Sequence, residues 1–285
     1  MTSASASVLR QVFESVGSNE RLAVLIRAYF DESDDGVHGR GLLVVAGYVF
    51  LPSQMRKLEP LWRKMLVKYD IPYFHMSECN ACDGIFAKSS DEECDLCARD
   101  AIKIARECTS HGVAYVMWQD EYREIFEDAG FDCDAYSFLL WTALIHVSKW
   151  RDANRPKSGL SLLFEDGYKT KSRANELLQI MSQDPRYKQD MRVTSHSFFN
   201  KDCSYHGQAA DLLAWQVRKA NSNQLAGKPI RKDTIALIEG RSTKTIFYDR
   251  AQLISIRDKF VAHSGSMASA SRILFNPDGP LYFWE

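Results

Sequence analysis

The sequence predicts an α/β chain: a mixed five-stranded sheet flanked by helices, with a helical insertion and a C-terminal appendage. Three observations predict it. Apolar runs of strand length recur between residues 22 and 199. The first two lie close enough for an antiparallel hairpin, and the later ones alternate with stretches whose apolar positions repeat at helical spacing. Carboxylates far apart in the chain stand at the ends of these elements.

The first strand is Leu22-Ala23-Val24-Leu25-Ile26 running on through Tyr29-Phe30-Asp31-Glu32, closed by the turn residues Ser33-Asp34-Asp35-Gly36. Gly41 to Phe50 is the second strand. Pro52-Ser53 then opens a helix with Met55, Leu58, Leu61, Trp62, Met65 and Leu66 on one face. Ile71 to Glu78 reads as a short extended piece or loop carrying His75. Ser90-Asp91-Glu92-Glu93 is a capping box that starts the next helix. Gly112 to Trp118 is the third strand, and Asp134 caps a helix with a broad apolar face from Phe138 to Val147. Leu160 to Phe164, ending in Glu165-Asp166-Gly167, is the fourth strand. Arg192 to Phe199 is the fifth, and His206 to Val217 is a helix with Asp211 in its first turn. Asn221 to Lys232 reads as a loop. Beyond it come Thr234 to Ile238, Thr245 to Tyr248 and a helix capped by Asp249. The organisation expected is an extension over residues 1–21, with a helix from Val8 to Val16, a main domain over 22–220, and an appendage over 221–285 packed on that domain.

With 285 residues, 45% of them hydrophobic, the chain has enough apolar material for a full core. No apolar run reaches the roughly 18 residues of a membrane span, and residues 1–7 lack the basic start and apolar centre of a secretory signal. A net charge of −1 excludes a generally basic coat, though not a local basic strip beside an acidic centre. Seven cysteines without an export signal point to free thiols in a reducing cytoplasm. Cys79, Cys82, Cys94 and Cys97 form two C-x2-C doublets. The second doublet falls on the apolar side of a helix, where cysteine serves as small core packing, so no structural zinc is expected. The apolar tail Leu281 to Trp284 predicts docking on the body or on a second copy, a homodimer.

Carboxylates at strand ends are where a cation or substrate reaches a sheet. Asp31 with Glu32, Glu165 with Asp166, and Asp211 therefore form a candidate site for Mg2+ or Mn2+, hard cations that take oxygen ligands. Lys169, Lys171 and Arg173 follow the fourth strand and suit phosphate contact; His75 and Gln208 are further candidates for the substrate side. His206 is a candidate proton donor.

The order of Tyr29 to Ser33, Ala46 to Val49, Phe74-His75, Glu165 to Gly167 and Gln208 to Trp215 resembles the group called domain of unknown function 3800, within the ribonuclease H-like superfamily. The resemblance covers residues 22–220. It implies a ribonuclease H-like sheet and phosphodiester hydrolysis with two magnesium or manganese ions. The ligands it implies are Asp31 on the first strand, Glu165 or Asp166 on a middle strand, and Asp211 on a late helix. Nucleic acid is the partner it implies. The alternative is a non-catalytic nucleic-acid- or nucleotide-binding module of the same fold within a larger complex. A sugar-kinase-like phosphotransferase would need glycine-rich phosphate turns after the first strand, and Gly36, Gly39 and Gly41 do not form one. A haloacid-dehalogenase phosphatase would need an aspartate two residues after Asp31, where Ser33 stands.

Overall fold

The two early apolar runs form an antiparallel hairpin, β1 (Leu25–Asp34) and β2 (Leu42–Phe50). The computed structural model describes residues 25–35, 41–166, 175–176, 178–179, 191–238 and 243–264. After β2 come the inserted helices α1 (Pro52–Lys68), α2 (Met76–Ala81) and α3 (Asp91–Cys108), then β3 (His111–Trp118), antiparallel to β2. A short α4 (Gln119–Tyr122) and the long α5 (Ala135–Asn154) lead to β4 (Gly159–Glu165). β5 (Val193–Phe199), a 3-10 turn at Lys201–Cys203, α6 (Tyr205–Leu225), α7 (Lys232–Ile238), β6 (Thr243–Tyr248) and α8 (Arg250–Ser264) complete the described chain.

The sheet is mixed, as expected, but has six strands rather than five, in the order β5-β4-β1-β2-β3-β6. β6, from the predicted appendage, pairs parallel with β3. Its Ile246, Phe247 and Tyr248 are half-buried against the two cores, which draws this segment onto the sheet. Two further expectations change. The end of the presumed loop, Met76 to Glu78, is helical and begins α2, with His75 as its N-cap. α6 continues through the presumed loop start to Leu225: Asn221 donates to the Val217 carbonyl at 2.8 Å, Ser222 ties the helix to Asp35 at 2.8 Å, and the chain turns only at Gly227. The Val8–Val16 helix, the basic stretch Lys169, Lys171, Arg173 and the tail Leu281–Trp284 lie outside the described residues. Among the described residues no helix is long and apolar enough to cross a membrane.

Each face of the sheet has its own core. Alternation along β1 sends Ile26, Ala28 and Phe30 to the side covered by α5 and α8, and Tyr29 to the side covered by α1, α3 and α6. β2 is buried along its whole length because both faces are covered. β1, β4 and β5 run parallel, so their carboxyl ends lie at one edge. In open α/β sheets that edge is where ligands bind. The register there is tight: Phe30 opposes Phe164, their rings 5.6 Å apart, and Glu165 opposes Phe199.

Phe30 also opposes Gly47 on β2, and a Cβ at Gly47 would overlap the Tyr29 carbonyl and the Phe30 ring. Backbone cannot yield there without moving β1. Gly47→Ala is therefore expected to destabilise the chain by about 1–3 kcal/mol or more, as overpacked cores do. Urea denaturation checks this; an unchanged midpoint would mean that β1 and β2 are not held in this register.

Candidate metal centre

The parallel register delivers three side chains to one point. Asp31 follows Phe30 on β1, Glu165 follows Phe164 on β4, and the chain leaving β5 at Phe199 turns through Asn200 into Lys201. α6 then crosses the same face, bringing Asp211. The helix starts at Tyr205, with Ser204 capping the Gly207 amide at 3.1 Å, so Asp211 sits in its second turn rather than its first.

Lys201 lies in the middle. Its Nζ is 3.1 Å from Asp31 Oδ2, 3.1 Å from Glu165 Oε1 and 3.0 Å from Asp211 Oδ1. The contact to Asp211 is a hydrogen bond, whereas Asp31 Oδ2 is within ion-pair reach but not aligned to accept one. Asp31 Oδ1 is held by the Glu32 amide at 2.8 Å, and Asp211 Oδ2 by the Met76 amide at 2.7 Å. Oxygens of Asp31, Glu32 and Glu165 lie within 4.8 Å of one another, and Glu32 Oε2, like Asp31 Oδ2, is buried without a hydrogen bond. Buried polar atoms in that condition are few in native proteins and call for a partner.

The charges respond accordingly. Burial, opposed by the Lys201 ammonium, leaves Asp31 well above the usual carboxylate range, with the neighbouring acids pushing it further the same way. Burial also resists ionisation of Glu165, but the Asp31 hydrogen bond and the Lys201 charge outweigh it and lower its pKa. Glu32, pushed up first by burial and then by the Glu165 charge, reaches about 8. Burial would lower Lys201, yet Asp211, Asp31 and Glu165 raise it above an ordinary lysine, so it stays a cation.

Around this centre the other expected residues divide. His75 belongs to it: Nε2 lies 3.6 Å from Asp211 Oδ1, and Nδ1 is 3.0 Å from Glu78 Oε1. His206 does not. Its ring stacks on Tyr29 at 5.0 Å and meets the edge of Phe50 at 4.9 Å. Burial, with the Arg27 charge, drops its pKa to about 4, so it is neutral at pH 7 and has no proton to donate as an acid. Gln208 also faces inward, fully buried: Oε1 accepts from Trp62 Nε1 at 2.7 Å and from the Phe74 amide at 3.1 Å, while Nε2 donates to the Lys201 carbonyl at 3.0 Å. It positions the Lys201 turn and the His75 segment and cannot touch a substrate. Asp166 is exposed and lies outside the acid group. The basic candidates Lys169, Lys171 and Arg173 are outside the described residues, but an unforeseen cation, Arg218, stands at the rim. Its Nε donates to Ser33 Oγ at 2.8 Å, and with Trp215, His75 and Ser77 it lines the open cavity above Glu165, Lys201 and Asp211.

An acid whose pKa rises on folding binds more protons folded than unfolded, so the folded state loses ground as pH climbs. For Glu32 this loss runs from the ordinary glutamate range, about 4.3, up to about 8, and Asp31 acts in the same direction. Below about pH 6.5 the buried, neutral His206 and His146, both lowered to about 4, pull the other way, so the metal-free protein is expected to melt at a falling temperature between about pH 6.5 and pH 8, with a slope of up to about 1.4 kcal/mol per pH unit for one group. Glu32→Gln should flatten the fall. A melting temperature that is level or rising across that range in the parent would contradict this charge arrangement.

No protein-family model and no curated protein matches the chain, which leaves this geometry and the motifs behind the resemblance as the grounds for a functional reading.

Proposed function

We propose that the chain is a divalent-metal-dependent phosphodiesterase of the nuclease type, with a ribonuclease H-like domain related to domain of unknown function 3800. One observation carries the reading: the oxygens of Asp31, Glu32 and Glu165 crowd within 4.8 Å while two of their buried oxygens lack a hydrogen-bond donor. An all-oxygen carboxylate set of this kind fits Mg2+ or Mn2+. Asp31, Glu32 and Glu165 would hold the ion, with Asp211 beside them. When bound, such an ion supplies an activated water and stabilises the leaving oxygen. The antiparallel β1-β2-β3 meander, with β4 and β5 added parallel to β1, supports the fold the resemblance implies, as do acids on a first strand, a middle strand and a late helix.

The chain's own residues take defined parts. Lys201 supplies one positive charge to a group of four carboxylates, too few to balance them when they ionise. Lys201 also lines the cavity, where its ammonium would be the chain's own cation for a phosphate oxygen. His75, between Asp211 and Glu78, orients the substrate side of the site. Arg218 at the rim holds the nucleic-acid backbone.

A second reading has its own observation. The three Lys201 contacts of 3.0–3.1 Å make this lysine a built-in counter-ion. Were it a permanent one, the chain would be a binding module for nucleic acid or nucleotide without hydrolysis.

Asp31→Asn separates the two. The side chain keeps its shape, and replacing one of four crowded carboxylates by a neutral amide relieves their repulsion, so the metal-free variant is expected to fold at least as stably as the parent. Mn2+ or Mg2+ should raise the melting temperature of the parent, by an amount equivalent to about 2.7 kcal/mol at a hundred times the dissociation constant, and should do nothing for the variant. Cleavage of single- and double-stranded DNA and RNA with Mn2+ should be seen in the parent and lost in the variant. A parent that binds nucleic acid, gains no stability from either metal and cleaves nothing would leave the binding module standing.

A further inference from the structure

The two cysteine doublets come together. Cys79 lies in α2, and Cys82 is its C-cap, with left-handed backbone at φ 47° and ψ 45°. A residue with a Cβ seldom takes that conformation, and where one is held in it a site is commonly nearby. Cys94 and Cys97 occupy the first two turns of α3, behind the Ser90 capping box. Cys82 and Cys94 form a disulfide, their Cα atoms 6.2 Å apart. The neighbouring Cys79 thiol, with burial, pushes the Cys97 thiol up. Cys79 Sγ donates to the Cys94 carbonyl at 3.3 Å, so the first doublet packs on the start of α3. Cys79, Cys94 and Cys97 are buried and Cys82 is half-buried. A cavity lined by Cys79, Cys82 and Cys94 opens over them, with Asn80, Asp95 and Arg231 around it.

Core packing accounts for single buried thiols. It does not call for two C-x2-C units on facing elements, with Cys82 in a left-handed turn joined to Cys94 and Cys79 bonded to the Cys94 carbonyl. We propose that Cys79, Cys82, Cys94 and Cys97 are the four ligands of one structural zinc ion, and that the Cys82–Cys94 disulfide is the oxidised, metal-free form of that centre. Zinc takes four thiolates as a tetrahedron from doublets of this spacing, with Zn–S near 2.3 Å. The conversion needs a dithiol reductant. The dithiol delivers two electrons and two protons, the Cys82–Cys94 bond breaks into two thiols, and the dithiol closes into its own disulfide. Zinc then replaces the four thiol protons, which leave to solvent. At the cavity wall Arg231 donates to Asn80 Oδ1 at 2.9 Å and is ion-paired with Asp233 at 2.8 Å and Asp95 at 3.6 Å.

The expectation of no zinc treated the spacing of Cys94 and Cys97 as helix-face packing. The left-handed turn at Cys82 adds to that spacing by bringing the first doublet back against α3. The centre also has a use. α2 is six residues long, too short to hold itself. Its carboxyl end carries the cysteines, while its amino end carries His75 and the Met76 amide that holds Asp211. A zinc at one end fixes the other end against the acids. Cys79 to Cys97 are thus positioning residues for His75.

The test uses the full chain, purified with a dithiol and without chelator. Elemental analysis should give one zinc per chain, and X-ray absorption should give four sulfurs near 2.3 Å. Chelation should lower the melting temperature, with recovery when zinc returns. Cys82→Ser and Cys94→Ser should each lose most of the zinc. Should these variants fail to fold, the stoichiometry and sulfur shell of the parent still decide the matter. A fully reduced parent that holds no zinc and gains no stability from it would overturn the proposal. So would a zinc shell dominated by oxygen, which would put the metal at the Asp31 carboxylates, or a Cys82–Cys94 disulfide that survives the dithiol.

Discussion

An ammonium enclosed by three carboxylates is the interaction on which the rest of the molecule turns. Lys201 is mostly buried, and a buried lysine stays charged only where opposite charges repay its lost hydration. Asp31, Glu165 and Asp211 do this from three separate elements, and Gln208 pins the backbone of Lys201 from beneath. None of these partners could hold the others alone. The parallel register of β1, β4 and β5 fixes two of the carboxylates, and the packing of α6 across β1 and β2 fixes the third.

That dependence explains which polar residues stay internal. Gln208 and His206 stand on the same turns of α6, yet both serve the framework: Gln208 saturates the Trp62 indole and the Phe74 amide, and His206 fills an aromatic slot between Tyr29 and Phe50. His75 takes the exposed position because the amino end of α2 is anchored on Asp211.

Much of the framework was legible in the sequence. Uninterrupted apolar runs marked the buried strands, Ser90 and Asp134 marked helix starts by their side-chain chemistry, and both caps are made as that chemistry requires. The acids at strand ends were legible too, because Asp31 and Glu165 close apolar runs. Lys201 was not. It stands in Phe199-Asn200-Lys201-Asp202, an ordinary polar turn, and only the three-dimensional register shows that it points into the acids. Arg218 was hidden in the same way, since a single arginine far along a helix looks like solvent-facing charge. β6 was underestimated because a short strand between polar stretches carries little periodic signal, and its place beside β3 depends on tertiary packing. His206 misled because a histidine one turn before a carboxylate suggests chemistry, while its ring was needed for the aromatic packing.

The parallel pairing of β1 with β4 bears on how the molecule is made. Phe30 must find Phe164, and β3 must wait for β6, across long stretches of intervening chain. Such distant pairings make folding slow. During synthesis the β1–β2 hairpin and the inserted helices leave the ribosome well before β4, β5 and α6 exist. Until then Asp31 and Glu32 stand in water, ionised, at the end of an unpaired edge. Their charge guards that edge against pairing with another nascent chain, as charged residues do on exposed strands. The acids later enclosed in the centre thus serve first as gatekeepers of its assembly.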